Sequence, residues 1–322
     1  MDATAIRHRF VDAHGLRMHV AEAGPDDGPV VLLLHGFPEC WYSWRHQLGA
    51  LASAGFHAVA PDQRGYARTD APAAIEDYTI LHLVGDVVGL LDALGAERAI
   101  VVGHDWGAPV AWHTALLRPD RVRGVVGLSV PPRPRGPARP TEVFASRFGP
   151  GYYMLYFQTP GVADAELAAD PRTTFRRLLA ATSGGTAPPR PVVEPGGGFL
   201  GFLPEPDALP AWLTEQDIDT YVDEYRDRGF TGGLNWYRNL DRNWELTGAW
   251  YETPITRPAL FLAGEHDLVI AGIPRDALLG ALRAGLPDLR GATILPDCGH
   301  WTQQERPEEV SAAIVEFARS VD

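Results

Sequence analysis

Short apolar runs that alternate with helical patterns constrain the fold of this chain more than any other feature. Residues 30–34 (Val-Val-Leu-Leu-Leu) are continuously apolar, as in a strand that is buried on both faces. Similar runs lie at residues 57–60, 99–102, 122–128, 259–262 and 292–295. Helical patterns separate the first four runs, at residues 44–54, 79–94 and 107–117. The alternation predicts βα units and an α/β fold with a mostly parallel sheet.

A proline-rich segment interrupts this alternation. Residues 131–137 (Pro-Pro-Arg-Pro-Arg-Gly-Pro) hold too many prolines to continue a helix or a strand, so they predict a hinge. The following residues have helical patterns, many aromatics and a loop at 187–198 that is rich in proline and glycine. The α/β pattern then resumes and ends in a helix predicted at 307–319. We therefore expect core segments at 1–132 and 253–322, and a helical lid at 133–252 above the carboxyl ends of the strands.

The charge of the chain limits its partners. Its 322 residues include 28 Lys and Arg against 41 Asp and Glu, for a formal net charge of −13. An acidic surface repels phosphate backbones and anionic lipids, so we expect no nucleic-acid partner and no membrane-surface binding. No apolar run is long enough to span a membrane, and the first residues do not resemble a signal peptide. Cys40 and Cys298 are the two cysteines, which we expect to be free thiols in a reducing cytoplasm.

The segment Gly103-His-Asp-Trp-Gly107 lies between a predicted strand and a predicted helix. Its glycines stand two residues on either side of Asp105, like those around the serine of a G-x-S-x-G nucleophile elbow. Such a turn exposes its central side chain above the sheet. In a purely structural interpretation, Asp105 would cap the helix that follows. As a nucleophile, its carboxylate would attack saturated carbon and leave an alkyl ester, which suits epoxides and alkyl halides.

The partners that Asp105 needs follow in the order acid, then histidine, as is typical of this elbow. Asp267 and His300 each follow a predicted strand late in the chain. Glu265 is an alternative acid, because the sequence does not fix loop geometry. We expect His300 to activate water for attack on the ester, and Asp267 to fix the tautomer of the imidazole.

Hydrolysis of an ester creates an oxyanion, which needs hydrogen-bond donors. The two predicted donors are the backbone N–H of Trp106, directly after the nucleophile, and that of Phe37, in the loop after the first apolar run. His104 borders the elbow, and we assign it no chemical step. The histidines expected to be structural are His46, His82 and His113.

Three motifs resemble those of soluble epoxide hydrolases of the α/β-hydrolase fold. They are His35-Gly-Phe-Pro38, Gly103-His-Asp-Trp-Gly107 and Asp297-Cys-Gly-His-Trp-Thr302. Two lid segments, Leu155-Tyr-Phe-Gln158 and Leu234-Asn-Trp-Tyr-Arg-Asn239, also look like family segments, so the resemblance covers nearly the whole chain. It implies an epoxide substrate, a diol product, and no cofactor or metal. Vertebrate members carry an additional phosphatase domain, and we expect only the hydrolase part to be represented here.

The resemblance also implies two lid tyrosines that hydrogen-bond the epoxide oxygen. By motif position these are Tyr153 and Tyr237. A phenol with a pKa of about 10 can donate to the alkoxide that ring opening creates. Tyr152 and Tyr156 lie beside Tyr153, so the identity of the second donor stays open among the three.

A haloalkane dehalogenase is the nearest alternative, since such enzymes also use an elbow aspartate followed by tryptophan. Many of them place a halide-binding asparagine where this chain has Phe37, and fluoroacetate-type enzymes often have arginine in place of Trp106. A non-catalytic ligand-binding homologue is a second alternative, although such a protein is expected to lose members of the triad. The sequence leaves open the natural substrate, the selectivity, and the choice between monomer and homodimer.

Overall fold

The computed structural model describes residues 4–185 and 190–321. Within these residues an eight-stranded sheet forms the centre of the molecule, in the order β1-β2-β4-β3-β5-β6-β7-β8. β1 pairs with β2 and β2 with β4 in antiparallel fashion, and all other neighbours are parallel. The prediction of an α/β fold with a mostly parallel sheet is confirmed. The strands are β1 (Arg7–Ala13), β2 (Leu16–Ala23), β3 (Val30–Leu34), β4 (His57–Pro61), β5 (Ala99–His104), β6 (Val122–Leu128), β7 (Ala259–Gly264) and β8 (Leu289–Leu295).

Burial explains which strands could be predicted. Every residue of β3, β4 and β5 is buried, which is why these strands have continuous apolar runs. The hairpin β1–β2 was not predicted. The first four residues of β1 are exposed, because this strand lies at the edge of the sheet, and its sequence is therefore largely polar. The other edge strand, β8, begins at Leu289, before the predicted start at residue 292, for the same reason.

The first core helices follow β3, β4 and β5 in turn, close to their predicted positions. They are α1 (Arg45–Ser53), α2 (Ile80–Ala93) and α3 (Gly107–Leu117). Short 3-10 helices lie at Trp41–Trp44, Ile75–Tyr78, Pro119–Arg121, Leu200–Phe202 and Gly248–Trp250.

We use the name lid for the segment between β6 and β7. Its helices are α4 (Pro140–Phe148), α5 (Tyr153–Tyr156), α6 (Val162–Ala169), α7 (Pro171–Ala181), α8 (Glu215–Tyr225), α9 (Thr231–Arg238) and α10 (Leu240–Leu246). Residues 187–189 of the predicted loop lie outside the described residues. The boundaries at 133 and 252 stay predictions, because the helices lie inside them without fixing where the lid begins and ends.

The remaining helices return to the core, at α11 (Arg275–Gly285), α12 (Thr302–Glu305) and α13 (Pro307–Ser320). α13 confirms the helix predicted at the end of the chain. α11 was not predicted, since its two glycines weaken the helical pattern. α1 packs against α13 and α2 against α3, so the sheet is covered by two separate helical layers. No helix of the described ranges is long and apolar enough to cross a bilayer.

Ion pairs dock the lid helix α8 onto the core. Arg68 donates to both carboxylate oxygens of Glu224, at 2.9 and 2.6 Å. Arg45 lies 3.1 Å from the Asp217 carboxylate. The two carboxylates are largely buried, and Arg45 is also largely buried, whereas the Arg68 side chain is about half exposed. These pairs hold the lid over the carboxyl ends of the strands.

Candidate active site

Asp105 occupies a sharp turn between β5 and α3. Its φ is +47°, a left-handed conformation that few residues other than glycine adopt. A Cβ at Gly103 would lie 2.0 Å from the Gly107 carbonyl oxygen, and a Cβ at Gly107 would lie 2.0 Å from that of Leu34. Both glycines are therefore required for the strand and helix to approach this closely. The turn has the strained geometry of a nucleophile elbow.

The structure brings the predicted acid and histidine to Asp105. His300 Nε2 lies 3.4 Å from Asp105 Oδ2, and His300 Nδ1 lies 3.0 Å from Asp267 Oδ1. Asp105 Oδ1 accepts a hydrogen bond of 2.8 Å from the Phe37 amide. Both carboxylate oxygens of Asp105 thus face partners outside α3, which argues against a helix-capping role.

Asp267, rather than Glu265, stands beside the imidazole. Asp267 is fully buried, and its Oδ1 also accepts from the Val269 amide at 2.9 Å. Its other oxygen has no hydrogen-bond partner within the described residues. Glu265 is exposed and accepts from the Asp297 amide at 3.3 Å. The buried carboxylate is placed to fix the Nδ1–H tautomer of His300.

The three side chains are electrostatically coupled. Burial alone raises the pKa of Asp105, but the hydrogen bond and charge of His300, together with His104 and the Phe37 amide, bring the pKa below its ordinary value. Burial alone lowers the pKa of His300, but the carboxylates of Asp267 and Asp105 overcome this and raise the pKa well above its ordinary value. Asp105 is therefore an anion at neutral pH, as a nucleophile must be.

An apolar cavity opens between Asp105 and the lid. Asp105, His300, Tyr153 and Tyr237 all line it. Tyr153 comes from α5 and Tyr237 from α9, so the lid supplies both phenols and the core supplies the carboxylate. The apolar part of the wall includes Phe157, Leu178, Phe199, Leu203, Leu268 and Val269.

The structure separates Tyr153 from the neighbouring tyrosines. Tyr156 donates its hydroxyl to Glu166 at 2.7 Å, and Tyr152 stacks on Phe148 with ring centroids 4.6 Å apart. Tyr153 faces Tyr237 instead, with ring centroids 6.2 Å apart. Of the three, Tyr153 is the one that lines the cavity together with Tyr237.

Both cavity phenols are held in the neutral form. Burial and nearby groups, including the Asp105 carboxylate, raise the pKa of Tyr237 well above its ordinary value, and the Trp106 side chain offsets this only in part through a hydrogen bond. Burial also raises the pKa of Tyr153 well above its ordinary value. Each hydroxyl therefore keeps its proton at neutral pH and can act as a hydrogen-bond donor.

A buried carboxylate beneath the elbow escaped the sequence analysis. Glu39 is fully buried and lies 2.8 Å from Nδ1 of His104, whose Nε2 lies 2.7 Å from the His300 carbonyl oxygen. Gln303 and Gln304 donate their side-chain amides to the same carboxylate. This network links the Phe37 loop to the histidine loop. The only sequence signal was position, since Glu39 directly follows the His35-Gly-Phe-Pro38 motif.

The three histidines predicted to be structural do not line the cavity within the described residues, and neither do the two cysteines. His46 and His82 are exposed, and His113 bonds the Pro109 carbonyl oxygen of its own helix at 2.7 Å. Cys40 and Cys298 are free, as predicted, and both are buried.

Comparison with known proteins agrees with this geometry. The chain matches the family model described as alpha/beta hydrolase fold over residues 29–307. Epoxide hydrolase A of Mycobacterium tuberculosis is 49% identical, over 98% of this chain and 98% of its own length. Epoxide hydrolase 3 of Siraitia grosvenorii is 46% identical, over 97% of this chain and 98% of its own.

A solved structure gives the same result. The crystal structure of epoxide hydrolase A from Mycobacterium thermoresistibile has a TM-score of 0.90 and 49% identity, and the match covers 99% of each chain. The elbow, the triad order, the lid and these full-length similarities lead to one assignment. The chain belongs to the epoxide hydrolases of the α/β-hydrolase fold family.

Proposed function

We propose that this chain hydrolyses an epoxide to a vicinal diol through a covalent ester on Asp105. The observation that carries the proposal is one cavity lined by a core carboxylate, a histidine and two lid phenols. In such a cavity the carboxylate can attack a carbon atom while the neutral phenols donate hydrogen bonds to the departing oxygen. An epoxide suits this arrangement, because its leaving oxygen stays attached to the substrate.

In the first step, Asp105 attacks one ring carbon as the carbon–oxygen bond of the ring breaks. The oxygen leaves with the bonding electrons, and Tyr153 and Tyr237 donate hydrogen bonds to the alkoxide. Because burial raises the pKa of both phenols, they act as donors that keep their protons until the alkoxide forms. The product of this step is an ester between Asp105 and the opened substrate.

In the second step, His300 takes one proton from water as the water attacks the ester carbonyl. The tetrahedral intermediate then breaks the bond between the carbonyl carbon and the alkyl oxygen. The departing oxygen takes up the second proton of the water, so the diol leaves and Asp105 returns as a carboxylate beside protonated His300. Esterification makes Asp105 neutral, which removes one of the two anions that raise the pKa of His300. The ring then releases its proton, which balances the proton that the alkoxide takes from a lid phenol, and it can act as a base. Asp267 holds Nδ1 of the ring, and the amides of Phe37 and Trp106 are the proposed oxyanion donors.

The wall of the cavity favours an apolar epoxide. Phe157, Phe199, Leu203 and Leu268 offer no polar groups with which to hold a charged or heavily hydroxylated substrate.

We also place the reaction in the cytoplasm, where two free buried thiols persist.

Dehalogenation is disfavoured by the same residues. A dehalogenase would use the indole N–H of the tryptophan after the nucleophile to hold a halide. Here Trp106 packs against a lid phenol instead, with its ring edge-on to the Tyr237 ring at 5.0 Å between centroids. The amide of Phe37 faces Asp105, where many dehalogenases carry asparagine.

The test is a trapped ester. The His300→Gln variant should be alkylated by the epoxide but should fail to hydrolyse the resulting ester. Mass spectrometry should therefore find the peptide containing Asp105 heavier by the full mass of the epoxide. Asp105→Ala is the matched control and should acquire no adduct. A panel of epoxides and haloalkanes assayed side by side should give diols and no halide release. Halide release without diol formation would refute the proposal.

A further inference from the structure

A partly buried carboxylate outside the triad binds both residues that flank His300. Oε2 of Glu305, in the short helix α12, accepts from the Gly299 amide at 2.9 Å, and its Oε1 accepts from the Trp301 amide at 3.0 Å. The same Oε2 also accepts from the lid residue Gly184 at 2.8 Å. Burial raises the pKa of Glu305 above its ordinary value, and these amides offset that only in part.

The backbone of His300 is itself shared between the lid and the core. Its amide donates to the Thr182 carbonyl oxygen at 2.9 Å, just beyond the end of α7 in the lid. Its carbonyl oxygen accepts from Ser129 Oγ at 2.8 Å, on the core side. The histidine therefore lies where the lid turn at 182–184 meets the histidine loop.

Two glycines allow this contact to be unusually close. A Cβ at Gly184 would lie 2.4 Å from the Asp297 carbonyl oxygen, and a Cβ at Gly299 would lie 2.4 Å from the Gly184 amide nitrogen. The two backbones thus touch directly. The Glu305 carboxylate accepts a hydrogen bond from one backbone amide of each.

We propose that Glu305 is a positioning residue that fastens the histidine loop to the lid turn and so fixes His300 for ester hydrolysis. The inference rests on the proposed function. Because His300 acts as a base in the second step alone, loosening its loop should slow hydrolysis of the ester and spare its formation. A general loss of packing would instead slow both steps.

The variant that tests this is Glu305→Gln. An amide side chain offers one acceptor oxygen, and its NH2 group would face a backbone N–H, so at least one of the three hydrogen bonds is lost. We expect ester hydrolysis to slow by about 10- to 100-fold, as small displacements of a catalytic group do. Ester formation should stay within about twofold of the wild-type rate. Both rates are measured under single-turnover conditions by rapid quenching and mass spectrometry of the ester.

Two further variants make the test decisive. Glu308→Gln removes the same charge from an exposed position on α13, and should leave both rates unchanged. Glu305→Asp keeps the charge on a shorter side chain, and should slow hydrolysis less than Glu305→Gln does. If Glu305→Gln does not fold, Glu305→Asp carries the test with the same expectation of slow hydrolysis and intact ester formation.

The outcomes separate this inference from the proposed function. If His300→Gln accumulates no ester, the two-step mechanism is wrong. If His300→Gln accumulates ester while the Glu305 variants hydrolyse theirs at the wild-type rate, the role of Glu305 is wrong. Equal slowing of both steps in the Glu305 variants would also overturn it, since that is the signature of a general structural role.

Discussion

Replacing Tyr237 with phenylalanine removes one proposed donor and leaves the ring in place. The Tyr237 ring packs against Trp106, Phe157 and Phe37, with centroids 5.0, 5.0 and 5.5 Å away. Phenylalanine keeps all of these contacts. We therefore expect the free energy of unfolding to change by less than about 1 kcal/mol.

We expect Tyr237→Phe to lower the rate of ester formation. A hydrogen bond to a charged group contributes about 1.5–3 kcal/mol, and the alkoxide carries its charge mainly in the transition state and after it. At about 1.36 kcal/mol for each factor of ten, Tyr237→Phe should slow ester formation by about 10- to 150-fold. Tyr153 lines the same cavity, and its pKa is raised well above its ordinary value. Its hydroxyl would be the donor that remains in this variant.

The assay measures ester formation alone. In a His300→Gln background the ester accumulates, so its rate of appearance by rapid-quench mass spectrometry reports the first step. Tyr156→Phe is the matched control, because it removes a hydroxyl that bonds Glu166 rather than facing the cavity, and its rate should not change. An unchanged rate in Tyr237→Phe would refute the donor role, and a slowed rate in Tyr156→Phe would show that the wrong lid tyrosine has been chosen.

Two other predictions concern stability. Gly107→Ala places a Cβ 2.0 Å from the Leu34 carbonyl oxygen, and should lower the free energy of unfolding by about 1–3 kcal/mol in urea titrations. Gly280→Ala, in α11 with nothing within 4 Å, should stabilise by about 0.4–1 kcal/mol, and equal effects of the two would contradict the elbow packing. Because the pKa of His300 is raised, its contribution to stability is complete below pH 6.5 and is lost as pH rises through the folded-state pKa. Urea titrations at increasing pH, starting below pH 6.5, should therefore show the stability of wild type relative to His300→Gln falling as pH rises, and a constant difference would count against the coupling.

The arrangement of the core site residues was predictable because local patterns encode it. The two glycines around Asp105 mark the elbow, since any side chain there would collide with neighbouring backbone. The positions of Asp267 and His300 follow from strand order, because loops at the carboxyl ends of parallel strands converge at one edge of the sheet.

Features that depend on tertiary contacts could not be predicted from the sequence. Glu39 and Glu305 look like ordinary polar residues in the sequence, and the burial of Glu39 and the contacts of Glu305 follow from packing between distant segments. The choice of Tyr153 over Tyr156 depends on which way each side chain of one short helix faces. The edge strands β1 and β8 were missed or shortened because solvent-facing residues interrupt their apolar pattern.

The most direct test of the mechanism follows oxygen through one turnover. With enzyme in excess over epoxide in water enriched in oxygen-18, attack by Asp105 predicts an unlabelled diol and a label in the Asp105 carboxylate. The diol then carries the ring oxygen and one oxygen of the aspartate, while water attacks the ester carbonyl. A labelled diol from the first turnover, with Asp105 unlabelled, would mean that water opens the ring directly and would contradict the account.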